Sequence, residues 1–151
     1  RGLTLQCSHF VQSPPTPSPC VIFLHGNCGC RLDASEPIPV ALRDGISLFC
    51  FDFSGSGLSE GKYISLGYFE RDDVKTVVEY LRTIDYVTTI GLWGRSMGAA
   101  TAIMYGATDP SIAGMVLDSP FSSLPKLASE LVASKEVPIQ IPKVAFNVGI
   151  K

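Results

Sequence analysis

One hundred and fifty-one residues, 46% hydrophobic and 17% charged, suffice for one domain with a real core and exclude a wholly disordered chain. Twelve Lys and Arg against 14 Asp and Glu leave a net charge of −2 with no basic block, which argues against nucleic acid as a partner. The longest apolar runs, Val21–Leu24 and Ile46–Phe51, are of strand length, far short of the roughly 20 residues that cross a bilayer, so no transmembrane segment is expected.

The chain opens on Arg1, and Arg1 to Val11 lacks the apolar stretch and cleavage site of a secretory signal, so it reads as processed or as a piece of something longer. Leu3 to Val11 alternates loosely and predicts a strand, and the proline run Ser13 to Pro19 predicts a loop, because proline cannot donate to a ladder. Cys20–Leu24 then reads as a strand buried on both faces, ending at His25-Gly26-Asn27. A helix is expected over about Ala34 to Arg43, disturbed early by Pro37 and Pro39, and a second buried strand over Ile46–Phe53, running into a flexible loop, Ser54-Gly55-Ser56-Gly57.

Beyond Ser65, a candidate N-cap, the apolar residues Leu66, Phe69, Val74, Val77, Val78 and Leu81 share one helical face, with Asp72, Lys75, Glu79 and Arg82 opposite. Thr89–Trp93 predicts a third strand and Ala99 to about Ala107 a helix stopped at Asp109-Pro110. Ala113–Leu117 predicts a fourth strand ending at Asp118, and Leu124 to Ser134 a last helix. From Lys135 to Lys151, apolar residues scattered among prolines resemble an element awaiting packing partners. Strands alternating with helices define an α/β class with a mostly parallel sheet.

Gly94-Arg95-Ser96-Met97-Gly98, set between a strand and a helix, matches the G-x-S-x-G nucleophile elbow, in which a sharp turn presents a serine hydroxyl clear of the sheet. The glycines leave room where neighbouring backbone comes close. A backbone N–H of the His25-Gly26-Asn27 loop could converge with that of Met97 on one oxyanion, and each such donor is worth about 3 kcal/mol in the transition state. His25 itself is expected to order its loop through backbone hydrogen bonds. Five cysteines, an odd number at 7, 20, 28, 30 and 50, do not make a disulfide framework and suggest a reducing compartment. His25, Cys28 and Cys30 lack a second ligand pair at zinc spacing, so neither a metal nor a cofactor is expected. Gly55-Ser56-Gly57 fails as a dinucleotide fingerprint because Glu60 stands where the third glycine belongs.

Over about Cys20 to Leu127, four segments together resemble the α/β-hydrolase fold: Val21–Asn27, Phe51–Ser59, Gly91–Gly98 and Val116–Phe121. They are most similar to α/β-hydrolase-domain proteins related to serine aminopeptidases and protein depalmitoylases. The resemblance implies a serine hydrolase that cleaves an ester, thioester or small amide through an acyl-enzyme on Ser96, with Asn27 and Met97 supplying the oxyanion N–H groups. The expected substrate is a small molecule or an acylated protein, and the expected location cytoplasmic or peripheral to membranes.

In that fold the acid and the histidine follow the serine, yet His9 and His25 both precede Ser96. Asp118 fits the acid only in a variant placement seen in some lipases. Residues 1–151 are therefore expected to be the N-terminal portion of one α/β-hydrolase domain, with acid and histidine beyond Lys151 and little activity on their own. A non-catalytic α/β-hydrolase scaffold used for binding is the alternative.

Overall fold

The computed structural model describes residues 2–133. The chain divides into a sheet unit, Arg1–Pro120, and a second unit, Phe121–Lys151. The sheet unit carries five strands: β1 (Cys7–Phe10), β2 (Ser18–Leu24), β3 (Ser47–Phe51), β4 (Val87–Arg95) and β5 (Met115–Asp118). Their spatial order is β1-β3-β2-β4-β5, antiparallel only between β1 and β3. Helices α1 (Pro37–Arg43), α2 (Glu70–Leu81) and α3 (Met97–Gly106) make the crossovers, as parallel neighbours require. This is the expected α/β architecture. The described part of the second unit is helix α4 (Leu124–Ala133), supported by a Lys126–Glu130 pair one turn apart, whereas the segment Lys135 to Lys151 lies outside the described residues.

β3 is buried at every residue, as its continuous apolar run dictates for a parallel strand covered on both faces. Phe23, Leu48 and Cys50 pack with Ala34 and Ala41 on the α1 side. The small residues Gly98, Ala99, Ala100 and Ala102 let α3 lie close on the sheet. A Cβ on Gly98 would stand 2.0 Å from the Leu24 carbonyl oxygen, which no relaxation of a side chain could relieve. The sequence's glycine there thus fixes how near α3 comes to β2.

Both of the first two expected helices change. The proline-disturbed helix is a 3-10 turn, Arg31–Ser35, followed by α1, in which Pro37 occupies the first helical position where its missing N–H costs nothing. Helix α2 starts at Glu70 rather than after Ser65, because Leu66 and Gly67 have φ of 56° and 117° and cannot be helical. Ser65 instead closes the preceding turn, its hydroxyl accepting the Phe69 N–H at 2.7 Å.

The loop leaving β3, read from its glycines as flexible, is pinned by three buried carboxylates. Asp73 accepts the N–H and hydroxyl of Ser54 at 2.9 and 2.7 Å, and Glu70 accepts the N–H groups of Ser65 and Gly67 at 2.9 and 2.8 Å. Asp52, fully enclosed at the end of β3, accepts the Leu58 N–H at 2.9 Å, the Arg31 N–H at 2.7 Å and the Arg31 guanidinium at 2.6 Å. Burial alone would raise the Asp52 pKa, but these N–H donors and the guanidinium outweigh it and hold the carboxyl below the usual carboxylate range.

Candidate active site

Because the strands run parallel, the ends of β2, β3, β4 and β5 reach one edge of the sheet, and the loops leaving them meet there. Ser96 follows β4 directly and precedes α3, with φ 51° and ψ −111°. A non-glycine residue at positive φ carries strain that the surrounding structure must impose. Here the constraints are steric: a Cβ on Gly94 would lie 2.4 Å from the Gly98 carbonyl carbon, so strand and helix touch on either side of the serine. The Ser96 N–H donates to the Asp118 carbonyl at 2.7 Å, and its half-buried side chain makes no cap bond to α3.

The turn at the end of β2 lies against this elbow. A Cβ on Gly26 would be 3.7 Å from the Ser96 Cβ and 3.5 Å from the Arg95 carbonyl oxygen, and Gly29 N–H closes the turn onto the Gly26 carbonyl at 3.1 Å. Asn27, exposed, follows the glycine whose missing side chain would meet Ser96, while Met97 is buried as the first residue of α3, where an N–H has no acceptor within the helix. Among the described residues, three of the four non-glycine residues at positive φ, Cys28, Ser96 and Ser119, lie in the turns that follow β2, β4 and β5. Strain concentrates on this edge.

Neither histidine reaches Ser96. His25 is buried against Phe53; its Nε2 accepts the Phe53 N–H at 3.1 Å, so the ring proton is on Nδ1, which donates to the Gly26 carbonyl at 2.8 Å. Burial depresses its pKa, with the Gly26 bond and nearby carboxylates acting against that. Both ring nitrogens are thus committed to backbone, as a loop-ordering role requires, and neither is free to ligate a metal with Cys28 and Cys30. His9 lies on β1 between Phe49 and Tyr86, level with Leu92 through the register His9–Phe49–Ile22–Leu92. It is separated from β4 by two strands, about 14 Å across the sheet.

Asp118 has its carboxylate engaged elsewhere. One oxygen accepts the Ser119 hydroxyl at 2.8 Å and the other the Arg95 Nε at 3.0 Å, and these bonds hold its pKa below the ordinary value. Arg95 also donates from Nη2 to Glu36 at 2.9 Å, so the guanidinium beside the elbow already holds two carboxylates. Sequence reasoning missed Glu36, Asp52, Glu70 and Asp73 as organisers of this edge. The available signal was positional: Glu70 and Asp73 fall on the α2 stripe of Val74, Val77 and Leu81, where an acid needs a partner.

A parallel sheet with a strained serine between strand and helix at its C-terminal edge defines the α/β-hydrolase fold. The family model for serine aminopeptidase, S33, matches residues 15–145, and the chain belongs to that family. YqkD of Bacillus subtilis is 31% identical over 122 residues, which are 78% of this chain and 40% of YqkD. A Pyrococcus furiosus esterase superimposes with a TM-score of 0.72 at 28% identity, covering 90% of this chain and 57% of the esterase. Est1E of Butyrivibrio proteoclasticus, solved with ferulic acid bound, gives a TM-score of 0.72 at 25% identity over 85% of this chain and 54% of its own. The chain spans about 40% of the length of the curated relatives it matches.

Proposed function

We propose that the full-length protein is a serine hydrolase acting on an ester, thioester or small amide, with Ser96 as nucleophile. The observation that carries this reading is the strained conformation of Ser96, at φ 51°, in a turn crowded by Gly94 and Gly98 and faced by Gly26. Ser96 Oγ bonds to the substrate's acyl carbon while its proton passes to a histidine outside residues 1–151. The N–H groups of Asn27 and Met97 hold the oxyanion. Collapse of the tetrahedral intermediate breaks the bond to the alcohol, thiol or amine, which takes the proton, and water then releases the acid by the same two steps.

The acid and the base lie outside these residues in this reading, since Asp118 is tied to Arg95 and Ser119, His25 is bonded to backbone and His9 lies on β1, separated from β4 by two strands. The substrate is a small molecule or an acylated protein, met in the cytoplasm or at a membrane surface. Among the described residues no helix is long and apolar enough to cross a membrane. The rival reading, a non-catalytic scaffold, draws on the same absence of a histidine near Ser96. Hydrolysis of p-nitrophenyl acetate by the full-length protein decides: Ser96→Ala should lower kcat by about 10³-fold or more, and an unchanged rate would refute Ser96 as nucleophile.

A further inference from the structure

We propose that Arg95 is a positioning residue for this reaction: by bridging Glu36 and Asp118 it sets the spacing between the backbone N–H groups of Asn27 and Met97. The proposal rests on the Ser96 reading and adds what holds the two halves of its oxyanion site in register. One half is the segment from His25 to Glu36, which leaves β2 and carries Asn27. The other is the elbow at the end of β4, which carries Met97.

The segment is tied to both strands that flank β2. Toward β3, the Arg31 N–H and guanidinium reach Asp52, whose side chain is fully buried while that of Arg31 is 17% exposed. Toward β4, Glu36 at the segment's far end receives Arg95 Nη2 at 2.9 Å. Arg95 is the residue before Ser96 and the register partner of Asp118, and its Nε donates to the Asp118 carboxylate while the Asp118 carbonyl accepts the Ser96 N–H. One planar guanidinium therefore joins the segment, the elbow and the end of β5. Lysine, a point charge on a flexible stem, cannot hold two carboxylates at fixed angles in this way.

Removing Arg95 does more than cut a tether, because it leaves two carboxylates that had converged on one cation. Their repulsion opens the gap between the segment and β5. The Glu36 and Arg95 side chains are 72% and 42% exposed, so the bridge contributes little to stability. Oxyanion geometry is less forgiving, since a displacement near 1 Å can cost about 100-fold in rate. Catalysis should therefore respond where folding does not, and salt should act with opposite sign on the wild type and on the variant.

The test uses the full-length enzyme with p-nitrophenyl acetate between 0.05 and 1 M NaCl. Arg95→Ala should lower kcat by about 10- to 100-fold with KM within about twofold and little change in Tm. Salt should slow the wild type by screening the bridge and quicken Arg95→Ala by screening the bare carboxylates. Glu36→Gln in the Arg95→Ala background should recover part of the loss, and Arg95→Lys should fall between wild type and alanine. Glu36→Gln alone, at an exposed site that cannot unfold the chain, should lower kcat by about threefold, which keeps the proposal testable if Arg95→Ala does not fold. A kcat for Arg95→Ala within twofold of wild type, a rise in KM in place of a fall in kcat, or no reversal of the salt effect would overturn the proposal. Full activity in Ser96→Ala would instead remove the reading beneath it, whatever Arg95 does.

Discussion

The two flanks of β2 are finished differently. On the β3 side every residue from Ser47 to Phe51 is buried, and the charge at the strand's end is enclosed and answered by Arg31 and two backbone N–H groups. On the β4–β5 side Met115, Val116 and Leu117 are 45%, 52% and 38% exposed, and the Asp118 carboxylate stands in partial contact with solvent. Both strands are parallel and apolar, and a parallel strand is ordinarily covered on both faces. The difference teaches that the β3 flank is closed within the described residues, whereas β5, at the edge of the sheet, keeps its apolar residues partly exposed.

That contrast can be broken by mutation. The largest effect belongs to Asp52→Ala, which leaves the Arg31 guanidinium and the N–H groups of Arg31 and Leu58 without their acceptor. Loss of one partner of a buried pair should cost about 3–5 kcal/mol in urea denaturation, and a loss below about 1 kcal/mol would show that the β3 flank is not pinned as described. Next is a matched pair on residues 1–151. Leu48→Ala, at a fully buried site, should cost about 3 kcal/mol, against under about 1 kcal/mol for Leu117→Ala. Equal losses would erase the distinction between the flanks.

Acid should also attack the closed flank in a set order. The buried His25 has a pKa below its unfolded value, so the unfolded chain binds a proton that the folded one refuses. Stability is therefore full above about pH 6.5 and drains below it, by at most about 1.4 kcal/mol per pH unit for each such group. His9, its pKa also lowered by burial, adds to the same window. Asp52, depressed as well, contributes fully above about pH 4 and is lost only as pH falls through its lower folded value. Urea titrations from pH 8 to 3 should show the histidine slope first, reduced by one proton in His25→Asn. A slope unchanged by that substitution would contradict the buried neutral ring.

The smallest signal is an expected near-silence. Residues 1–151 hold the strained serine without a histidine in reach, so their turnover of p-nitrophenyl acetate should rise only slightly above background and change little in Ser96→Ala. A steady rate abolished by that substitution would mean that His9 or His25 moves to serve Ser96.

The elbow was legible because its demands are local and steric: a strand, a helix, and glycines where a Cβ would strike Gly98 or Leu24. The buried strands were legible because period and length decide them, although β4 proved longer, Val87–Arg95 against Thr89–Trp93. What the sequence hid depends on residues far apart meeting in space. Asp52 lies inside the expected strand Ile46–Phe53, and nothing in the sequence marks Arg31 and Leu58, 21 and 6 residues away, as its partners. Glu70 and Asp73 fall on the apolar stripe of α2, but their partners Ser54, Ser65 and Gly67 become visible only once the loop folds onto them. Nothing near Arg95 in the sequence marks its partners, and only the placement of Glu36 and Asp118 reveals that the protein's own carboxylates occupy it.

The central claim, that Ser96 is the nucleophile of a hydrolase, is tested most directly by fluorophosphonate labelling of the full-length protein with mass mapping of the modified peptide. The account predicts one adduct, on the peptide carrying Gly94 to Gly98, lost in Ser96→Ala and retained in Asp118→Asn. An unlabelled protein, or an adduct at another residue that survives Ser96→Ala, would contradict it.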